Sequence, residues 1–280
     1  MFNLYGNDDP DYEDWAKATF GKFNLGFAYE NALFSRYKGV GLVPFGFSPA
    51  GGGATAADLE LWTAHYPRGI LGDRIKIEVK LDTKADYGQA SLSHTGNSWK
   101  LTGKNTSEAR EMRRLLEQMG IVAQINQAWP REQPNLFKYK NSKEVPDKEK
   151  QTDLEKYPSK YLTGSGFANA FATYYNTKGV NYIQIGGKGL YYLKSDPNGL
   201  RDLGATGFLD SGATMKLRIR TKTSKSDGTY RFSTALLIDN PPRKSGFDLD
   251  TEGALERLRW DAVDTENAPY QLKSQRGMLL

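Results

Sequence analysis

Asp58 is followed twenty positions later by Glu78, and Lys80 lies two residues beyond that. Two carboxylates and an ammonium at one point would suit a hard divalent cation beside a phosphate ester. Ile75, Ile77, Val79 and Leu81 alternate with Lys76, Glu78, Lys80 and Asp82, and alternation of period two marks a half-buried strand. Glu78 and Lys80 therefore project from one face. An antiparallel neighbour starting near Asp58 lays its carboxylate beside Glu78, with Pro67, Gly69, Gly72 and Asp73 supplying turn chemistry between the strands. Mg²⁺ binds carboxylates, keeps waters and takes phosphate oxygens as its other ligands, so the expected substrate is a phosphodiester. The competing reading is an amphipathic edge strand with a solvated charged face.

An acid opening one strand and Glu-x-Lys on the next resembles the PD-(D/E)XK nuclease superfamily, over roughly the first half of the chain. The resemblance carries over as Asp58, Glu78 and Lys80, with Ala57 where the family motif has proline. It implies a restriction-endonuclease-like α/β fold, a mixed β-sheet core flanked by helices, here with a β-rich C-terminal extension. It also implies metal-dependent hydrolysis of DNA with Mg²⁺, for which Mn²⁺ substitutes. Some branches of the family place a glutamine shortly after the lysine, which points to Gln89.

A second acid-x-lysine, Asp82 with Lys84, has the same facing parity. Four strand residues span about 13 Å, several metal-ligand distances, so only one pair shares an ion with Asp58. Glu78 and Lys80, flanked by Ile77, Val79 and Leu81, have the more rigid frame. Upstream, Phe23, Phe27, Glu30, Phe34 and Tyr37 recur at steps of four and three, one face of a helix that Gly39 can stop. Glu30 interrupts that stripe, and a carboxylate on a core-facing stripe is costly unless paired. The resemblance implies a helical glutamate that reaches the metal, so Glu30 joins Asp58 and Glu78 as a ligand. Leu25, Tyr29, Ala32, Leu33 and Arg36 form a competing face that leaves Glu30 wet.

The chain of 280 residues has no cysteine and two histidines, His65 and His94. Thiolate zinc sites, disulfides and cysteine nucleophiles are excluded, and little material remains for a histidine-metal nuclease or a serine triad. The first ten residues lack a basic region followed by an apolar stretch, and no apolar run approaches membrane-spanning length. These features predict a soluble, cytoplasmic protein with no membrane partner, and a homodimer is compatible with them.

The net charge of +5 suits a polyanion. Lys216, Arg218, Arg220 and Lys222 share one strand face while Leu217 and Ile219 share the other; Asp227 and Gly228 signal a hairpin turn, and the run 230–238 reads as the return strand. Such a face contacts DNA phosphates or guards an exposed edge against aggregation. The run 105–120 reads as a helix, with Asn105 and Glu108 as a capping pair, Met112, Leu115, Leu116 and Met119 on its apolar face and Gly120 at its end. The charged run 144–156 reads as a mobile loop or surface excursion. Residues 167–175 read as a short helix and 180–185 as a strand, followed by a tight turn through the glycines 186–189.

The sequence thus predicts a single nuclease domain, with a core motif over 20–120, a charged excursion at 144–156 and a β-rich second half over 160–240. Its partner is DNA. The other class of reading is a non-catalytic nucleic-acid-binding or phage virion structural protein, which gives Asp58 and Glu78 no reason to converge.

Overall fold

The computed structural model describes residues 25–44, 46–47, 57–62, 74–223 and 230–260. The readings at the first ten residues, at Phe23, His65, the turn 67–73 and the turn 227–228 lie outside these residues. In chain order the elements are α1 (Leu25–Gly39), β1 (Leu59–Trp62), β2 (Arg74–Lys80), β3 (Gln89–Thr95), β4 (Ser98–Thr102), α2 (Ser107–Gln118), α3 (Ile121–Ala128), α4 (Asp147–Lys156), β5 (Lys160–Leu162), α5 (Phe167–Thr177), β6 (Tyr182–Ile185), β7 (Gly189–Tyr192), β8 (Thr206–Gly207), β9 (Thr214–Thr223), β10 (Tyr230–Asn240) and α6 (Glu252–Trp260). The fold is mixed α/β, with two sheets and flanking helices. The chain divides into two compact units. The first takes the chain up to Thr83, Lys178–Gly212 and the part from Pro242 onward, and the second takes Lys84–Thr177 and Ala213–Pro241.

The first unit holds a mixed sheet in the order β1-β2-β6-β7-β8. β1 runs antiparallel to β2, with Leu59 opposite Ile77, and β2 runs parallel to β6, with Lys80 opposite Ile185. Ile75, Ile77 and Val79 are buried, as the alternation requires, and pack with Leu59, Leu61 and Tyr182. α1 lays Tyr29, Leu33 and Tyr37 into the same core. It ends at Gly39, while Gly41, with φ of 75°, is the left-handed residue of the stop. Gly41 N donates to Lys38 O and Leu42 N to Tyr37 O, the two bonds that close a Schellman turn. The glycines after β6 make the expected tight turn into β7. A Cβ on Gly186 would lie 2.1 Å from Leu81 O, so only glycine lets this turn lie against the end of β2.

The second unit holds an antiparallel sheet in the order β4-β3-β10-β9-β5. The predicted hairpin strands β9 and β10 pair from Thr223 opposite Tyr230 to Met215 opposite Ile238. α2 matches the predicted helix, but its cap is Thr106, whose hydroxyl accepts from Ala109 N, and Gly120 leads straight into a further helix, α3. Trp99, Trp129, Tyr157 and Phe232 form an aromatic core with ring centroids 4.9 to 5.9 Å apart.

The charged run, expected to be a mobile loop or surface excursion, is helical over Asp147–Lys156. Asp147 and Glu149 sit in its first turn and Lys156 in its last, in the sense the helix dipole favours. Asp153, 1 % exposed, explains why charge did not mean solvation here. Its carboxylate accepts from Asn135 N and Leu136 N at 3.0 Å each and from the Tyr230 hydroxyl at 3.0 Å. Leaving a buried donor unsatisfied costs about 1–3 kcal/mol. Asp153→Ala should therefore destabilise the protein by on the order of 3 kcal/mol in urea unfolding, with Asp153→Asn, which keeps one acceptor oxygen, losing less. Equal stability of wild type and Asp153→Ala would remove this anchor from the fold.

Candidate active site

Asp58 lies immediately before β1, and continuing the antiparallel register by one residue sets it opposite Glu78. Its Oδ2 accepts the Val79 N–H at 2.9 Å, so the side chain caps β2 where β1 begins. Glu78 and Lys80 occupy the C-terminal half of β2 and are joined by a 2.5 Å bond from Lys80 Nζ to Glu78 Oε1. The other carboxylate oxygen of Glu78 faces Lys178 Nζ at 3.6 Å. Lys178 is a buried lysine that sequence spacing gives no reason to single out, since it stands in the loop between α5 and β6, 100 positions from Glu78. β2 ends at Lys80 and Asp82 lies in the turn that follows. The strand parity that made Asp82 a rival therefore does not reach it.

Glu30 joins this group although α1 does not bury the stripe on which it was predicted. Ala28, Tyr29, Leu33 and Tyr37 are the buried residues, while Phe27 and Phe34 are half-buried. Glu30 sits on the flank of the buried face. What fixes the helix rotation is a network behind it that the sequence did not reveal. The Tyr29 hydroxyl donates to Asp250 Oδ2 at 2.8 Å, the Tyr37 hydroxyl to Leu249 O at 2.8 Å and Arg36 to Asp250 O at 2.6 Å. Gln184, fully buried on β6, donates to Asp248 Oδ1 at 2.7 Å. Burial, with Asp248 nearby, pushes the Asp250 carboxyl up to about 7 against the opposing effect of the Tyr29 hydrogen bond.

The electrostatics record the convergence. Burial, then the charge of Glu78, pushes the Asp58 carboxyl up to about 6. Burial, then Asp58 and to a smaller degree Glu78, pushes Glu30 up to about 8, with Lys80 opposing. Burial acts to lower the Lys80 ammonium, but Glu78 and Asp58 outweigh it and hold the group above the ordinary lysine range. Lys80 is therefore a fixed cation at neutral pH and not a proton acceptor. Carboxylates that raise one another's pKa form a donor set whose charge a hard divalent cation offsets, and in that chemical sense the residues fit Mg²⁺. Among the described residues, no three or more His, Asp or Glu side chains are gathered as a group that could hold a metal ion.

Gln89 belongs to the second unit. It opens β3, and its amide donates to Asp86 Oδ2 at 2.8 Å. The basic strand has the predicted facing, with Met215, Leu217 and Ile219 buried and Lys216, Arg218, Arg220 and Lys222 on the opposite face. It is not a guarded edge, because β9 lies between β10 and β5. Lys216 pairs with Asp239 at 2.8 Å and lies 4.8 Å from the centre of the Tyr161 ring. Arg218 and Arg220 each hold one oxygen of Asp86, at 2.8 and 2.6 Å.

Comparison with known protein families, with curated proteins and with solved structures finds no match.

The raised acids give a pH dependence of definite sign. Glu30 has an ordinary value of 4.5 and a folded value of about 8, so the folded state favours the protonated form. Stability is greatest below the ordinary value and falls as pH rises toward the folded one. Glu30→Gln should flatten the decline in melting temperature between pH 5 and pH 8, and Mg²⁺ should restore stability to the wild type at the upper end of that range. An unaltered pH profile in Glu30→Gln would detach Glu30 from the cluster.

Proposed function

We propose that this chain is a metal-dependent nuclease that hydrolyses DNA phosphodiester bonds on a restriction-endonuclease-like sheet. The observation that carries this reading is the meeting of Asp58, at the start of one strand, with Glu78 and Lys80 on the antiparallel neighbour. The bond from Val79 N to Asp58 and the shifted acids Asp58 and Glu30 accompany it. The position also favours a site, since open α/β sheets bind ligands beyond the carboxyl ends of their parallel strands. β2 and β6 are such a pair, and the Gly186 amide closes on Lys80 O at 2.9 Å at that end.

Asp58 and Glu78 would hold Mg²⁺, or Mn²⁺ in its place, with Glu30 supporting them. The bound ion would polarise the scissile phosphate and lower the pKa of a coordinated water. Lys80, kept protonated by its carboxylate neighbours, offsets the negative charge that develops on the phosphate oxygens. Lys178 holds the far oxygen of Glu78 and so fixes that carboxylate. The cations of β9 supply phosphate contacts that do not depend on base sequence. No helix among the described residues is long and apolar enough to cross a membrane. A purely binding or structural role, carried by the β9 face alone, would leave the clustering of acids around Glu78 without purpose.

Plasmid and linear DNA incubated with the protein should be cut with Mg²⁺ or Mn²⁺ and left intact with EDTA. Asp58→Ala and Lys80→Ala should each abolish cutting while DNA binding persists. Loss of one anionic ligand forfeits several kcal/mol of charge stabilisation, so Glu78→Gln should slow cleavage on the order of a hundredfold or more, whereas Asp82→Asn should stay close to wild type. If Asp82→Asn is the damaging change, the pair was misassigned. Wild-type rates in all four variants would place the chemistry elsewhere.

A further inference from the structure

We propose that Arg218, Arg220 and Ser233 form a binding site for a phosphate group of the DNA backbone, and that Asp86 fills it as an internal competitor in the free protein. This rests on DNA being the partner, but not on whether the protein cuts it.

Cross-strand pairing sets the site. Arg220 lies directly opposite Ser233, Arg218 opposite Ala235 and Lys222 opposite Arg231, and directly opposed residues of an antiparallel pair share a face. Each arginine gives only a terminal nitrogen to Asp86, Arg218 Nη2 to Oδ1 and Arg220 Nη2 to Oδ2. Gln89 adds a third donor to Oδ2. Among the described residues, three polar atoms on this face remain buried without a hydrogen-bond partner: Arg218 Nε, Arg220 Nε and Ser233 Oγ. Ser233 is only 3 % exposed, so bulk water does not serve its hydroxyl.

Buried polar groups are nearly always paired in folded proteins, and three unpaired atoms on one sheet face call for an acceptor richer than one carboxylate. A phosphodiester fits. It carries one negative charge, as Asp86 does, and guanidinium forks match its oxygens in a bidentate manner. The charges point the same way: Asp86 pairs with both Arg218 and Arg220, and Lys222 and Arg231 lie opposite one another beside them on the same face. Burial, then Arg220, lowers the Lys222 ammonium below its ordinary value, with Arg231 and Arg218 adding to the effect and Asp86 opposing it. The row reaches solvent at its Arg231 end, where that side chain is exposed. Arg218 and Arg220 side chains keep 22 % and 14 % of their surface accessible.

Internal competition makes a prediction that a merely structural ion pair does not. Removing the Asp86 charge should strengthen binding. Asp86→Asn should bind a short mixed-sequence DNA duplex more tightly than wild type. Its log-log salt dependence should steepen by up to about 0.9, the value for one phosphate contact. Arg218→Gln with Arg220→Gln should shift the slope the opposite way. A folded Asp86→Asn protein with unchanged or weaker binding would overturn the proposal. Because that variant leaves two arginines without their acid, the wild-type protein provides a second measurement, the arginine Nε–H signals in a ¹⁵N spectrum. On titration with the same duplex, and separately with inorganic phosphate, the Arg218 and Arg220 signals should move saturably, and Ser233→Ala should weaken the phosphate response. Signals that stay in place while the duplex binds would place the phosphate contacts elsewhere.

Discussion

The ion cluster on β2 is the constraint around which the first unit is arranged. Glu78 is a buried carboxylate on a strand whose other face is core, and it is held between Lys80 at 2.5 Å and Lys178 at 3.6 Å. Taking such charges out of water is costly, and exchanging a buried ion pair for well-packed apolar groups is often neutral or stabilising by about 1–4 kcal/mol. Stability alone therefore does not account for Glu78 and Lys80 on one strand, with Lys178 from a neighbouring loop and the acids Asp58 and Glu30 acting on them. Their cost makes sense where the charges act on something outside the fold, which is why the cluster, and not the sheet, carries the functional reading.

Two lines of support hold the cluster in place. One is the pairing of β1 with β2, which commits Asp58 to the Val79 amide and so to the neighbourhood of Glu78. The other is the polar network of Tyr29, Gln184, Asp248 and Asp250, which fixes the rotation of α1 and with it the residue after Tyr29. Strands that are parallel neighbours require a crossover connection. Between β2 and β6 that crossover runs from Lys84 to Thr177 and, together with the β9–β10 hairpin, makes up the second unit.

The two charged faces differ in how their charges are satisfied. In the first unit, burial and then neighbouring acids raise the Asp58 and Glu30 carboxyls toward neutral pH, with Lys80 opposing. In the second, burial and then neighbouring cations lower the Lys222 ammonium, with Asp86 opposing. One site is thus short of positive charge and the other of negative charge.

Much of this was legible in the chain because it is local. Period-two alternation set the facing of Glu78 and Lys80 and of the four β9 cations, and helical spacing with a terminal glycine located α2. The β9–β10 hairpin followed from two strand-like runs close in sequence. What the sequence could not decide depended on partners far along the chain. Charge density made 147–156 look solvated, yet Asp153 is buried by backbone amides at Asn135 and Leu136 and by Tyr230. An apolar stripe put Glu30 on the core side of α1, but Asp250 and Leu249, more than 200 positions away, chose the rotation that leaves it on the flank. Gln89 follows Lys80 closely in sequence, but the chain enters the second unit at Lys84 and carries it to Asp86. Lys178 has no signal in the sequence at all. Periodicity fixes which way a side chain faces; only the long-range pairing of strands and buried donors fixes what it faces.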